Sequence, residues 1–225
     1  MQLLLNKNKK LAKWIDLRSN SGCPEVLNIL NIKTSSISTV CNVIRFLMLK
    51  KSLNFNLPSR LYLYYFTRLI ENKLEKNLEV KVKNIFKCIN TYGICFEKEY
   101  PYDITKVDIK PEIKSINFDI KYKLLNEDIN EIKEYLNNNI PIIFTFDIFS
   151  NFNSDKVINT GIVKMPKKKE RPIGTLTCAI YGYRSSTKSF ICMNNFGNMW
   201  GEKGFFYLPY KYVTNYAYNF YVIDF

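Results

Sequence analysis

The period of the apolar residues changes part-way along this chain, and that change limits the folds open to it. From Ser35 to Asn90 apolar side chains recur every three or four residues, whereas beyond Pro141 they fall in short runs bounded by Gly, Asn or Pro. Val40, Val43, Ile44, Leu47 and Met48 predict a buried helix that begins at Ser35, capped by Ser35 or Ser36. Leu61, Tyr64, Tyr65, Phe66 and Leu69 predict a second helix after Pro58-Ser59, and a third covers Val80 to Asn90. Asp128 and Glu131 form a capping box for a short helix whose apolar face is Ile129, Ile132, Tyr135 and Leu136. Strands are predicted over Pro141–Phe149, Thr175–Tyr183, Ser189–Met193, Gly204–Leu208 and Asn219–Ile223, each rich in β-branched or aromatic residues. Residues 1–34 read as mostly irregular, and Tyr100 to Lys114, with Pro101 and Pro111, as an extended connector. Helices first and strands second make an α+β chain, expected as one domain over 1–225 with a helical lobe over 1–105 and a β-rich lobe over 106–225.

Composition narrows the chemistry. The 225 residues include no histidine, so any mechanism that moves a proton through imidazole is excluded, as is a mixed Cys/His zinc site. The six cysteines form no CxxC pair, and neither a metal nor a cofactor is expected. No stretch reaches the roughly 20 apolar residues of a membrane helix. The apolar run in MQLLLNKNKK is short and its lysines follow it, so no secretory signal is read there, and an intracellular or virion location with free thiols is expected. Lys7, Lys9, Lys10 and Lys13 read as a frayed basic terminus, with a nucleic-acid or membrane-surface patch as the alternative. The net charge of +13 attracts anionic partners at long range. Part of that charge reflects composition, because Lys, Asn, Ile, Tyr and Phe are all favoured by AT-rich codons.

Several segments resemble the papain-like cysteine proteases, in a compact form without a propeptide. NNFGNMWGEKGFFYLPYKYV, residues 194–213, resembles their Asn-Ser-Trp-Gly…Trp-Gly-x-x-Gly-Tyr-Phe region. WIDLRS with Cys23-Pro24…Val26, LPSRLYLYY at 57–65, YGICFEKEYPYDI at 92–104 and GTLTCAIYGY at 174–183 match further segments in the family's order. The resemblance implies a papain-like two-lobe fold, with a central buried helix in the N-terminal lobe and an antiparallel, barrel-like C-terminal lobe.

Carried over residue by residue, the resemblance also implies that the catalytic set is degenerate. The nucleophile position falls on Ser35, or on Ser36 or Ile37 if the preceding loop shifts. Leu176 takes the histidine position, and Ile29, or else Asn28 or Asn31, takes that of the glutamine that donates to the oxyanion. Asn194 keeps the asparagine, Phe196 stands at a tryptophan position and Trp200 is retained. Cys41 lies six residues into the helix, about 240° around its axis from Ser35, and does not substitute. Leucine accepts no proton, and an unactivated serine is a poor nucleophile.

The expected function is therefore that of a pseudoprotease, with no catalytic residues, and its expected setting is a large DNA virus. It would bind a protein or peptide in an inter-lobe cleft formed by Ser35, Ser36, Leu176, Asn194, Phe196 and Trp200. Lys164, Lys167, Lys168, Lys169 and Arg171 form a basic patch for an acidic partner. Two alternatives stay open: a basic structural or nucleic-acid-associated virion protein, and a residual peptidase-like hydrolase that uses Ser35 with Lys33 or Lys188 as its base.

Overall fold

A computed structural model describes residues 9–20, 22–51 and 54–225, so Lys7 of the basic terminus lies outside the described residues. The chain forms two compact units, each discontinuous in sequence.

One unit comprises residues 29–122 and 223–225 and is helical. Helix α1 (Ser35–Lys50) packs against α2 (Arg60–Ile70) and α3 (Val82–Tyr92). Twelve of its sixteen residues are buried, so it is covered on nearly every side rather than on one stripe, and this is why small and apolar residues occupy most of it. Helix α2 starts where predicted, the Ser59 hydroxyl accepting the Tyr62 N–H, and presents Tyr62 and Phe66 to Tyr92 at the end of α3. Gly93 closes α3 at φ +70, a left-handed value that a side chain there would strain.

The other unit, residues 1–28 and 123–222, holds most of the sheet. Its strands are β1 (Trp14–Asp16), β2 (Lys121–Leu124, entered from the helical unit), β3 (Ile142–Ile148), β4 (Gly174–Arg184), β5 (Ser189–Met193), β6 (Phe205–Pro209) and β7 (Ala217–Asp224). The order is β2-β7-β3-β4-β5-β6, and β1 joins the far end of β4. The registers of β1–β4, β3–β4, β3–β7, β4–β5 and β5–β6 are all antiparallel. Three short helices decorate the unit: α4 (Ile129–Asn137), α5 (Asp155–Thr160) and α6 (Tyr210–Tyr216). Its core is aromatic. Phe152 meets Phe146 at 5.7 Å, Phe206 at 5.5 Å and Trp200 at 5.0 Å between ring centroids, contacts that each add about 0.5–1.5 kcal/mol beyond area burial.

The α+β class and the predicted helices and strands are present, with boundaries shifted by at most two residues. Three local expectations need correction. Residues 1–34 contain β1, which the sequence conceals because three residues carry no period; it exists by pairing Ile15 with Tyr183 and Asp16 with Gly182. Gly182 permits this pairing, since a Cβ there would collide with the Ile15 carbonyl. Asp128 is the N-cap, but the capping box is not formed: its side chain accepts the Asn130 N–H, and Glu131 turns to the Asn126 N–H and the Lys123 ammonium. Neither Ser35 nor Ser36 caps α1: the N-cap position belongs to Thr34, whose side chain makes no cap bond.

Candidate active site

The residues singled out in the sequence divide between the units. Ile29, Ser35 and Ser36 lie in the helical unit, whereas Leu176, Asn194, Phe196, Trp200 and the basic loop lie in the sheet unit.

In the helical unit the loop 29–34 leads into α1 and is held by side chains from far along the chain. The Tyr102 hydroxyl donates to the Ile29 carbonyl at 2.9 Å and lies 2.7 Å from the Thr34 hydroxyl. Tyr102 is itself fixed by the Arg60 guanidinium, 3.6 Å above its ring, which pairs with Glu97 at 2.7 Å. Asn77 accepts the Lys33 N–H at 2.9 Å and donates to the Asn31 carbonyl at 3.1 Å. Leu30, between Ile29 and Asn31, takes φ +50, which a branched residue adopts only when its surroundings hold it there.

Glu79 supplies the cap that Thr34 does not. Its carboxylate accepts the Ser35 N–H at 3.1 Å and the Ser36 N–H at 3.4 Å, and the Ser36 hydroxyl lies 3.1 Å from it. Backbone N–H groups and the helix dipole make this end of α1 a place for negative charge, and a side chain of the protein already fills it. Ser35 is fully buried. Cys41, also fully buried, has its thiol pushed well above the ordinary value by burial.

In the sheet unit Leu176 is buried on β4, opposite Phe146 in register. Asn194, fully buried, folds the following loop around itself: its amide donates to the Trp200 carbonyl at 3.0 Å and its carbonyl oxygen accepts the Phe196 N–H at 2.8 Å. Asn195 ties that loop to β4 by donating to the Thr177 carbonyl at 2.9 Å. Phe196 and Trp200 meet at 5.7 Å, and the Phe152 contact draws Trp200 towards the core. Leu176, Asn194, Phe196 and Trp200 are thus gathered at one end of β4.

The basic loop is shaped by its single acid. The Glu170 carboxylate accepts the N–H of Lys167, and the N–H and hydroxyl of Ser150, which lowers its pKa and leaves Lys164, Lys167, Lys168, Lys169 and Arg171 exposed. Among the described residues no three His, Cys, Asp or Glu side chains gather as metal ligands, and no helix is long and apolar enough to cross a membrane.

Residues 80–219 match the family model described as papain family cysteine protease. A relative described as an uncharacterised peptidase C1-like protein, from Acanthamoeba polyphaga mimivirus, is 32% identical over 99% of this chain and 78% of its own length. This chain belongs to the papain family. Xylellain, a cysteine protease from Xylella fastidiosa, superposes with a TM-score of 0.86 at 25% identity, covering 96% of this chain and 87% of that one. The digestive procathepsin L 3 of Tenebrio molitor larval midgut gives 0.72 at 18% identity over 97% and 72% of the two chains, which shows a common fold.

Glu79, Asn77 and Tyr102 are the site residues that sequence reasoning missed in this papain-family chain. Glu79 follows Ser35 by 44 positions and sits in a polar stretch before α3, where nothing in its spacing distinguishes it from a solvated charge. Tyr102 is visible only as part of the family-like run YGICFEKEYPYDI.

Proposed function

We propose that this chain is a papain-family pseudoprotease, retained to bind a protein or peptide rather than to cut one. In this reading Ser35 stands at the nucleophile position, Leu176 at that of the histidine and Ile29 at that of the oxyanion glutamine, and Asn194 serves the fold. The observation that carries it is the Glu79 carboxylate on the Ser35 and Ser36 N–H groups. A working enzyme of this type holds a thiolate at the start of its central helix, and a fixed negative charge there opposes formation of a second one. Leu176 offers nothing to remove a proton, and both polar ends of the Asn194 amide are engaged by backbone. The relative from mimivirus supports a setting in a large DNA virus. The exposed cations of the 164–171 loop support an acidic partner.

Covalent probes test the proposal. A fluorophosphonate directed at serine and an epoxide directed at cysteine will leave the native protein unlabelled at Ser35 and Cys41, as read by mass spectrometry of the intact chain and of its peptides. Stoichiometric labelling of Ser35, lost on denaturation, would restore the hydrolase reading.

A further inference from the structure

The sheet unit exposes a tryptophan beside two cations, where β1 meets the end of β4. We propose that Trp14, Lys13, Arg184, Ser185 and Ser186 form a binding site for single-stranded nucleic acid, with a base stacked on the indole and the adjoining phosphates on the two cations.

Trp14 is 64% exposed, although it belongs to a paired strand. The other tryptophan, Trp200, is packed by Phe152, Phe196 and Phe206. On β1 the alternation of a strand sends Ile15 to one face and leaves Trp14 on the other, and its register partner across the pair is Arg184. The five residues line an open groove of about 660 Å³. The Ser185 N–H, donating to the Lys13 carbonyl at 3.0 Å, fixes the two sides of the groove together. Arg184 is held over the Tyr207 ring at 4.9 Å.

Charge decides what fits. The carboxylates near Arg184 are Asp16 and Glu202, and both are taken by Arg18, at 2.7 and 2.8 Å. No ion pair among the described residues involves Lys13 or Arg184; Arg184 feels the same two carboxylates only at longer range, so neither cation is neutralised by a contact partner. An exposed indole, two cations outside any ion pair and two hydroxyl-bearing residues match the needs of an unpaired nucleotide: a π face, a phosphate and hydrogen-bond partners. A duplex hides the base faces that Trp14 would meet, and a run of Asp and Glu residues offers no flat ring. The net charge of +13 adds long-range attraction to any polyanion. This site does not depend on the state of Ser35.

The test is titration of the full chain with a short oligothymidylate, followed by fluorescence anisotropy and by quenching of the tryptophan signal. Trp14→Ala should weaken binding roughly tenfold, and Trp14→Phe should retain most of it, because stacking needs a ring rather than an indole. Lys13→Gln should lower the slope of log K against log salt by about 0.7, the share of one phosphate contact on a single strand. Trp14 is exposed, so its variants should keep the circular dichroism of the native chain. Three results would overturn the proposal: no binding by the native protein at low salt, equal binding by Trp14→Ala, or displacement of the oligonucleotide by polyglutamate with the same dependence on Trp14.

Discussion

A cysteine placed at position 35 will not regain the reactivity of a protease thiol while Glu79 is present. A thiol at a helix N-terminus ordinarily titrates below the free value of about 8.5, because N–H dipoles stabilise the thiolate. Here those dipoles already face a carboxylate, and the new thiolate would form beside a like charge. Ser35→Cys is therefore expected to titrate above the free value, and Ser35→Cys with Glu79→Gln to titrate lower by about one unit or more, with alkylation at neutral pH accelerated roughly tenfold. Glutamine keeps an oxygen that accepts an N–H, so the substitution removes charge while sparing most of the cap. Five native thiols are made less reactive by burial, which pushes Cys23 up to about 11, Cys88 and Cys95 to about 12, and Cys41 and Cys192 well above the ordinary value. The measurement is the rate of iodoacetamide modification against pH, resolved by peptide mapping. An introduced thiol that titrates below the free value in Ser35→Cys, with Glu79 intact, would show that the carboxylate does not govern this helix end.

The second large effect concerns Arg68, on which the placement of Glu79 depends. This side chain is 1% exposed, yet it carries a full charge into the helical unit. It donates to the Leu74 carbonyl at 2.8 Å and to the Val107 carbonyl, pairs with Asp108 at 2.8 Å and lies over the Tyr64 ring at 4.4 Å. Tyr64 in turn donates to the Leu78 carbonyl at 2.9 Å, one residue before Glu79. Arg68 thus fastens both ends of the loop that delivers Asn77 and Glu79 to the start of α1. Arg68→Ala leaves two carbonyls without their donor and a large void, and should cost about 3–5 kcal/mol in urea unfolding. Asp108→Asn should cost about 1 kcal/mol or less, because that carboxylate is 71% exposed and screened by water. Equal losses from the two substitutions would mean that the ion pair, rather than the carbonyl bonds and packing, holds the loop.

The parts of this protein that could be read from its sequence are those whose cause is local. Helix α1 announces itself through Val40, Val43, Ile44 and Leu47, and β5 through Ser189–Met193 bounded by turn residues, because each repeats its own period within one element. Strand β1, with three residues, and α5 and α6, with six and seven, are too short for a period and are stabilised by what they pack against. The same division runs through the site. Leu176 and Asn194 lie within family-like runs, so the sequence alone singles them out. The charge on the helix end is set by a residue 44 positions away, and only folding brings the two together. The expectation that Ser35 or Ser36 caps α1 failed for this reason: a local rule was satisfied by a distant carboxylate.

We propose that a papain-family body here works without peptide cleavage. The most direct test is to incubate the purified chain with a proteome-derived peptide library and to identify the products by mass spectrometry, beside the Ser35→Ala variant. The account predicts the same background for both proteins. Turnover by the native chain that disappears in Ser35→Ala would contradict it.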